Sequence, residues 1–525
     1  MNRKGFASAA GRRPGRSNIL KGTLILTLAG FITRVIGFFY KIFLSNTMGA
    51  ELLGIYQLVF PVYGICFTIY ATGIQTSISR LVAAEMGKRN PRNAHKILKI
   101  GVLLSVFIAF LLSVLVYRFS DYIAFRFLLE PRSAGSLRIL ALVFPFCGIT
   151  SCINGYYYGL KKAGVPASTQ LLEQVIRVIV VYVLAVYFGK GNLRVTCEMA
   201  VTGLVIGEFF SSMYNVISIF VTKSPSSLLL MGPDPNAKAS GRRNILKNIL
   251  SFSVPLSANR LLINILHSIE AILIPTMLKR FGLTNKDALS TFGILNGMSV
   301  PFIMFPTAVI NALAVLLLPM ISEAQAVNND KLIGKTSAVA IKYSLIIGII
   351  STGIFIVFGQ ELGIAIFHNA EAGAYLIILA WICPLIYLTT TLGSIINGLG
   401  KAHITFINSV AGSLSKILMT VILIPRFGIK GYLAALLVGQ LIVTGLDTFS
   451  VIRFVHFPFN AVDSILKPGL IVALAGFLLK KFAEYAQKIT HIHQAVMILS
   501  FCLLFCVICI GLLIITRAVS RKDFR

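Results

Sequence analysis

ILKGTLILTLAGFITRVIGF, residues 19–38, decides the fold. Apart from Lys21 and Arg34 it holds only apolar residues, glycine and threonine. At 1.5 Å per residue a helix of this length spans the roughly 30 Å hydrocarbon core of a bilayer. A central cation in such a helix costs about 2.5–3.5 kcal/mol on insertion scales, so Arg34 needs a reason to be there. ILKNILSFSVPLSANRLLIN, residues 245–264, repeats the arrangement: Arg260 follows its Ile-Leu-Lys at the same distance as Arg34 follows Ile19-Leu20-Lys21. Two equivalent charges in two halves of one chain suggest a duplicated membrane protein with a cationic interior and an anionic substrate.

The rest of the chain agrees. Its 525 residues are 56% hydrophobic and only 13% charged, about half the charge of a typical soluble domain. Continuous apolar runs exclude the alternating strands of a membrane β-barrel. The net charge of +30 is explained by basic cytoplasmic connections, and no nucleic-acid partner is inferred. The eight cysteines lie mostly in apolar segments and imply no disulfide framework. The seven histidines show no metal-ligand grouping beyond His491 and His493, and no metal or cofactor is expected.

The sequence reads as an all-α polytopic protein with 14 transmembrane helices. A basic cytoplasmic tail (1–18) precedes an N-lobe of six spans (19–222). A linker (223–244) leads to a C-lobe of six spans (245–456), then two further spans (457–516) and a second cytoplasmic tail (517–525). With both termini in the cytoplasm, the inner connections carry about twice the Lys and Arg of the outer ones. Shifting the chain by 226 residues lays Arg34 on Arg260. Shifting it by 239 lays Pro145 on Pro384, Gly159-Leu160 on Gly398-Leu399, and Arg177 on Lys416. Six spans per copy make the two lobes parallel, related by an axis along the membrane normal.

Five cations cannot be assigned to connections or helix ends: Arg34, Arg80, Arg177, Arg260 and Lys416. They are expected to face a wet cavity or buried partners, whereas Lys41 reads as an end-of-helix residue that reaches the interface. Glu173, four residues before Arg177, has the favourable helical spacing for an ion pair. Glu208, Glu270 and Asp447 are candidates for pairing with the other cations or for coupling to Na+ or H+. Pro61, Pro145, Pro255, Pro301, Pro306 and Pro384 interrupt helices. No nucleophile-base arrangement is present, and the outer connections are too short to house a catalytic domain, which disfavours a membrane glycosyltransferase.

The segments Gly22-Thr23-Leu24, Thr33-Arg34-Val35-Ile36-Gly37-Phe38 and Gly49-Ala50-Glu51-Leu52-Leu53-Gly54-Ile55-Tyr56-Gln57 carry a resemblance. So do Gly73-Ile74-Gln75-Thr76-Ser77-Ile78-Ser79-Arg80, Leu318-Pro319-Met320-Ile321-Ser322-Glu323-Ala324 and Ile396-Asn397-Gly398-Leu399-Gly400. Over essentially its whole length the chain resembles the stage V sporulation protein B-like polysaccharide transporters of the MOP exporter superfamily, relatives of the MurJ-type lipid II flippases. The resemblance implies a V-shaped, two-lobed bundle around a cationic cavity, with Arg34 in the cavity and Arg80 matching the family's second-span arginine. It also implies that residues 463–516 line a groove for a lipid tail. The implied substrate is a polyprenyl-diphosphate-linked saccharide. Its movement across a bacterial plasma membrane is expected to proceed by alternating access, in a monomer. The chain departs from the MurJ type at Asn296-Gly297-Met298-Ser299-Val300-Pro301, where those proteins have an arginine, so lipid II itself is not implied. A multidrug antiporter of the related MATE branch would need an acidic cavity. A non-transporting sporulation scaffold is the reading from another class.

Overall fold

The computed structural model describes residues 16–188, 193–221, 241–489 and 494–519. The first 15 residues, most of the 223–244 linker, His491 and His493, and the last six residues lie outside the described residues. The described chain is helical with no strand. Its principal helices are α1 (Arg16–Phe67), α2 (Gly73–Gly87), α3 (Pro91–Arg118), α4 (Ala134–Ala141), α5 (Phe144–Gly159), α6 (Gly164–Phe188), α7 (Cys197–Val221) and α8 (Arg242–Phe281). They continue with α9 (Asn285–Gly293), α10 (Thr307–Ala326), α11 (Asp330–Phe367), α12 (Ala370–Leu379), α13 (Cys383–Gly398), α14 (Ala402–Phe427), α15 (Ile429–Phe454), α16 (Lys467–Ile489) and α17 (Gln494–Ile515).

Twelve helical segments among the described residues are long and apolar enough to cross a membrane, or 13 if the bent pair α4–α5 is one span. Fourteen were expected. One reason is the first segment, Thr27–Gly87, which runs 61 residues where the sequence reading draws two spans. Its break is at Gly49, at φ 77° and ψ 168°. This left-handed backbone is open to glycine without the Cβ clash that other residues meet. The expected eighth span is also broken, into α9, a wide π-turn at Ile294–Ser299, a short helix Val300–Met304 and α10. Pro145 and Pro384 do not kink continuous helices. Each lies in the first turn of a new helix, α5 or α13, where the missing N–H has no helical partner to lose. A 48° bend separates α4 from α5.

Apolar side chains lie outside the bundle as well as inside it, as a bilayer solvent requires. Leu103, Tyr187, Phe220 and Ile515 are among the most exposed side chains, whereas Tyr70, Phe144, Phe358, Tyr387 and Phe505 fill the interior. Helices α1–α7 pack mostly on one another, as do α10–α15. Helix α8 belongs to both groups, lying against α14 on one side and against α1 and α2 on the other. Helices α16 and α17 pack on α11, where Val472 and Phe505 crowd Gly353. The outward face of α16 leaves Leu470, Leu474, Phe477 and Leu478 exposed.

Candidate functional site

Two cavities meet at the centre of the bundle, sharing Gln57, Phe60 and Met304 in their walls. The first, about 540 Å³, runs along α1. Arg34, Phe38, Lys41 and Leu44 line it on the way up, and Leu53, Tyr56, Gln57 and Phe60 on the way back from Gly49. Positions 34, 37, 38, 41 and 44 fall on one face of a helix, so the backbone alone aims them together. Gln174 and Arg177 of α6 and Pro301, Phe305 and Thr307 complete the wall. Among the described residues three cations line this cavity and no carboxylate does. Arg177 is ion-paired with Glu173 beneath the wall, at the i, i+4 spacing the sequence suggests. Its Nε is buried without a hydrogen-bond partner among the described residues.

The second cavity, about 450 Å³, differs in charge. Lys416 of α14 reaches it, but its Nζ lies 2.6 Å from Glu270 Oε2. Tyr432 donates to Glu270 Oε1 at 2.7 Å, and His267 Nδ1 stands 3.7 Å from Oε2. Glu270 is therefore a buried hub, its side chain only 8% exposed, that neutralises Lys416. Asn264, which donates to Thr68 Oγ1 at 2.5 Å, ties α8 to a second π-turn, Thr68–Thr72, between α1 and α2.

The other expected site residues are scattered. Arg260 is exposed on α8 and lines neither cavity, although it sits four residues before Asn264 and so on the same helical face, one turn away. The equivalence of Arg34 and Arg260 in sequence is thus not repeated in the cavity walls. Arg80 stacks over the ring of Phe252 at 4.2 Å, an α2–α8 contact outside both cavities. Glu208 is buried in α7. Asp447 is fully buried in α15, accepting from Asn408 Nδ2 at 2.8 Å through Oδ1, while its Oδ2 is buried without a hydrogen-bond partner among the described residues. Sequence reasoning missed Lys41 as a wall residue. The signal was available, because Lys41 lies seven residues, two helical turns, after Arg34.

Past Leu44 and Leu53, each 1% exposed, α1 packs against α9. Helix α9 lies so close to α1 that a Cβ on Gly54 would sit 2.1 Å from Leu289 O, and one on Gly293 2.0 Å from Ala50 O. Only glycine permits this backbone contact. Beside it, Glu130 is 2% exposed and accepts from Arg132 Nε at 2.5 Å and from Asn285 Nδ2 at 2.8 Å. Arg132 Nη1 also donates to Glu51 Oε1 at 2.6 Å. One network therefore joins α1, the α3–α4 connection and the start of α9. Burial pushes the Glu130 carboxyl upward, but the hydrogen bonds from Arg132 and Asn285 outweigh it and hold the group below the usual carboxylate range. At the opposite end Arg34 stays exposed.

The profile of the polysaccharide biosynthesis protein family matches residues 19–325. Stage V sporulation protein B of Bacillus subtilis (strain 168) is 24% identical over 97% of this chain and 98% of its own. The lipid II flippase MurJ of the same organism is 24% identical over 81% of this chain and 82% of its own. A solved structure of a lipid II flippase MurJ in an inward closed conformation superimposes with a TM-score of 0.68 at 14% identity, covering 95% of this chain and 99% of that one.

Proposed function

Because this chain belongs to the polysaccharide biosynthesis protein family, we propose that it moves a polyprenyl-diphosphate-linked saccharide across the membrane by alternating access. The observation that carries the reading is the first cavity: Arg34, Lys41 and Arg177 on its walls and no carboxylate among its described lining residues. A diphosphate presents oxygens on several sides. Guanidinium groups grip such an anion with paired hydrogen bonds, and an ammonium adds a point charge. The second cavity, with Asn264, Gln440 and a Lys416 neutralised by Glu270, suits hydroxyls and amides of a sugar. The anion therefore sits toward α1 and α6 and the saccharide toward α8 and α14. The polyprenyl tail stays in lipid, for which the exposed apolar face of α16 offers one surface.

In this mechanism the structure corresponds to the state closed near Gly49 and loaded from the Arg34 end. The positive-inside distribution makes that end cytoplasmic. Gly54–Gly293 contact and the Glu130 network are the outer gate. Release requires α9 to part from α1, with Arg132, Glu51, Glu130 and Asn285 rehydrated. An acidic cavity suited to organic cations is disfavoured, since the acid on the walls, Glu270, is held by Lys416 and Tyr432.

Proteoliposomes offered labelled lipid II and unrelated polyprenyl-diphosphate glycans test the proposal. Protection or exposure of the label should change with protein for at least one of them. Failure with every such lipid, under imposed ion gradients and with intact fold, would leave the scaffold reading.

The outer gate makes a separate prediction. Cys197 is 4% exposed and donates to Leu52 O at 3.1 Å, beside Glu51. Asn285→Ala and Glu130→Gln should each raise its labelling by an impermeant maleimide several-fold at constant pH. Unchanged labelling in both would argue against a gate here. The sign with pH follows from Glu130. A carboxyl held low in the closed state contributes stability above its free pKa, and that contribution is lost as pH falls through the lowered value. Acidification should therefore loosen the gate of the wild type but not of Glu130→Gln, as read by the distance between spin labels across α1 and α9.

A further inference from the structure

A third cavity, about 480 Å³, lies away from the central site. Its walls include Ile341 and Leu345 of α11, Leu388 and Leu392 of α13, Ile452 of α15 and Ile465 beyond it. Thr448 and His456 are the only polar side chains among the described lining residues. Nothing in the proposed path of the diphosphate reaches it. It opens to the periphery of the bundle, since Ile452, Phe459 and Ile465 are exposed. Its end of the molecule is the basic one, where the start of α11 and the ends of α13 and α15 gather in one apolar cluster.

Two cations stand near the α15 end of the cavity, whereas Asp463, two residues before Ile465, is neutralised by Lys467 at 2.6 Å. Lys401 Nζ stands 3.0 Å above the ring of Phe454, and Arg453 Cζ lies 6.0 Å from the same ring. Phe454 is next to lining residue Val455. Neither cation has a carboxylate ion pair among the described residues. An aromatic face attracts a cation but accepts few of its hydrogen bonds, so both groups keep N–H donors to offer. An apolar pocket facing lipid, with two such cations at its lip on the basic side of the membrane, is complementary to an anionic amphiphile.

We propose that this pocket binds one acyl chain of an anionic glycerophospholipid from the leaflet at the basic end, its phosphate held by Lys401 and Arg453. A free phosphate would leave the apolar walls empty. A zwitterionic lipid carries its own cation to the lip and forfeits the charge match. The site is distinct from the transported lipid's cavity and holds whether or not the flipping reading does.

The full chain in phosphatidylcholine nanodiscs, with a trace of phosphatidylglycerol or phosphatidylcholine bearing a photoreactive acyl chain, provides the test. The phosphatidylglycerol probe should label peptides spanning Thr448 to Ile465 at least about fivefold above the phosphatidylcholine probe, the sign expected for anionic-lipid recognition by basic groups. Lys401→Gln/Arg453→Gln should bring that ratio to about one. Thr448→Trp should fill the cavity and lower labelling by both probes. Arg453 is exposed and Lys401 half-buried with no carboxylate partner among the described residues, so the double variant, checked by an unchanged melting temperature, decides even if Thr448→Trp misfolds. Equal labelling by the two probes overturns the proposal, as does a preference that survives in the double variant. Displacement of the label by unlabelled polyprenyl diphosphate more effectively than by unlabelled phosphatidylglycerol also overturns it, by making the pocket a substrate-tail site.

Discussion

Arg34→Gln/Lys41→Gln is expected to reduce polyprenyl-diphosphate transport by two orders of magnitude or more while leaving the fold intact. Both side chains line the first cavity from one face of α1, and neither is ion-paired among the described residues. Removing them leaves no protein carboxylate stranded. Each charge-assisted hydrogen bond to phosphate contributes about 1.5–3 kcal/mol. Two lost together amount to about 3–6 kcal/mol, and every 1.4 kcal/mol is a factor of ten. The single variants should fall between, and Arg34→Lys should retain more activity than Arg34→Gln by keeping the charge without the fork. Melting temperature and monodispersity serve as the control. An active double variant would move the anion site elsewhere.

The second large effect concerns Lys416, where structure and function can be separated. Lys416→Met strands Glu270, 8% exposed, with Tyr432 and His267 as its remaining partners. Breaking one side of a buried pair costs about 3–5 kcal/mol, because the remaining charge is uncompensated. Lys416→Met should therefore lower the melting temperature sharply, and Lys416→Met/Glu270→Gln should recover most of the loss. Transport then discriminates. If the pair is a structural neutral unit, the double variant also recovers transport. If Lys416 contacts the diphosphate directly, the double variant is stable and inactive. The present geometry favours recovery, since Glu270 already occupies the Lys416 ammonium. A double variant no more stable than Lys416→Met would refute the ion-pair account.

What the sequence made legible follows from range. The apolar runs disclose the helices because a bilayer demands length and continuity, and Glu173–Arg177 is visible because both ends lie on one helix. Arg34 stands out through its cost in a span. Arg260 stands out for the same reason, yet it lies a turn away from the cavity face marked by Asn264, since a helix fixes which residues align but not how far along the neighbouring wall begins. The Glu270–Lys416 pair joins α8 to α14, and the Glu130 network joins α1, the α3–α4 connection and α9. No local spacing announces contacts of that kind. Gly54 and Gly293 are equally silent in sequence, where they read as small residues in apolar runs. Their meaning appears only when two backbones meet at a distance that excludes a Cβ.

Carriage of a lipid through its diphosphate can be measured against a neutral lipid. Wild-type protein in vesicles should be given two lipids with the same polyprenyl tail and the same fluorescent saccharide, one joined through a diphosphate and one through a neutral linkage. Their translocation is then followed by the accessibility of the fluorophore to an impermeant quencher. Protein-dependent translocation is expected for the diphosphate lipid and none above background for the neutral one. Equal movement of the two, or movement of neither in folded protein under imposed gradients, would contradict that expectation.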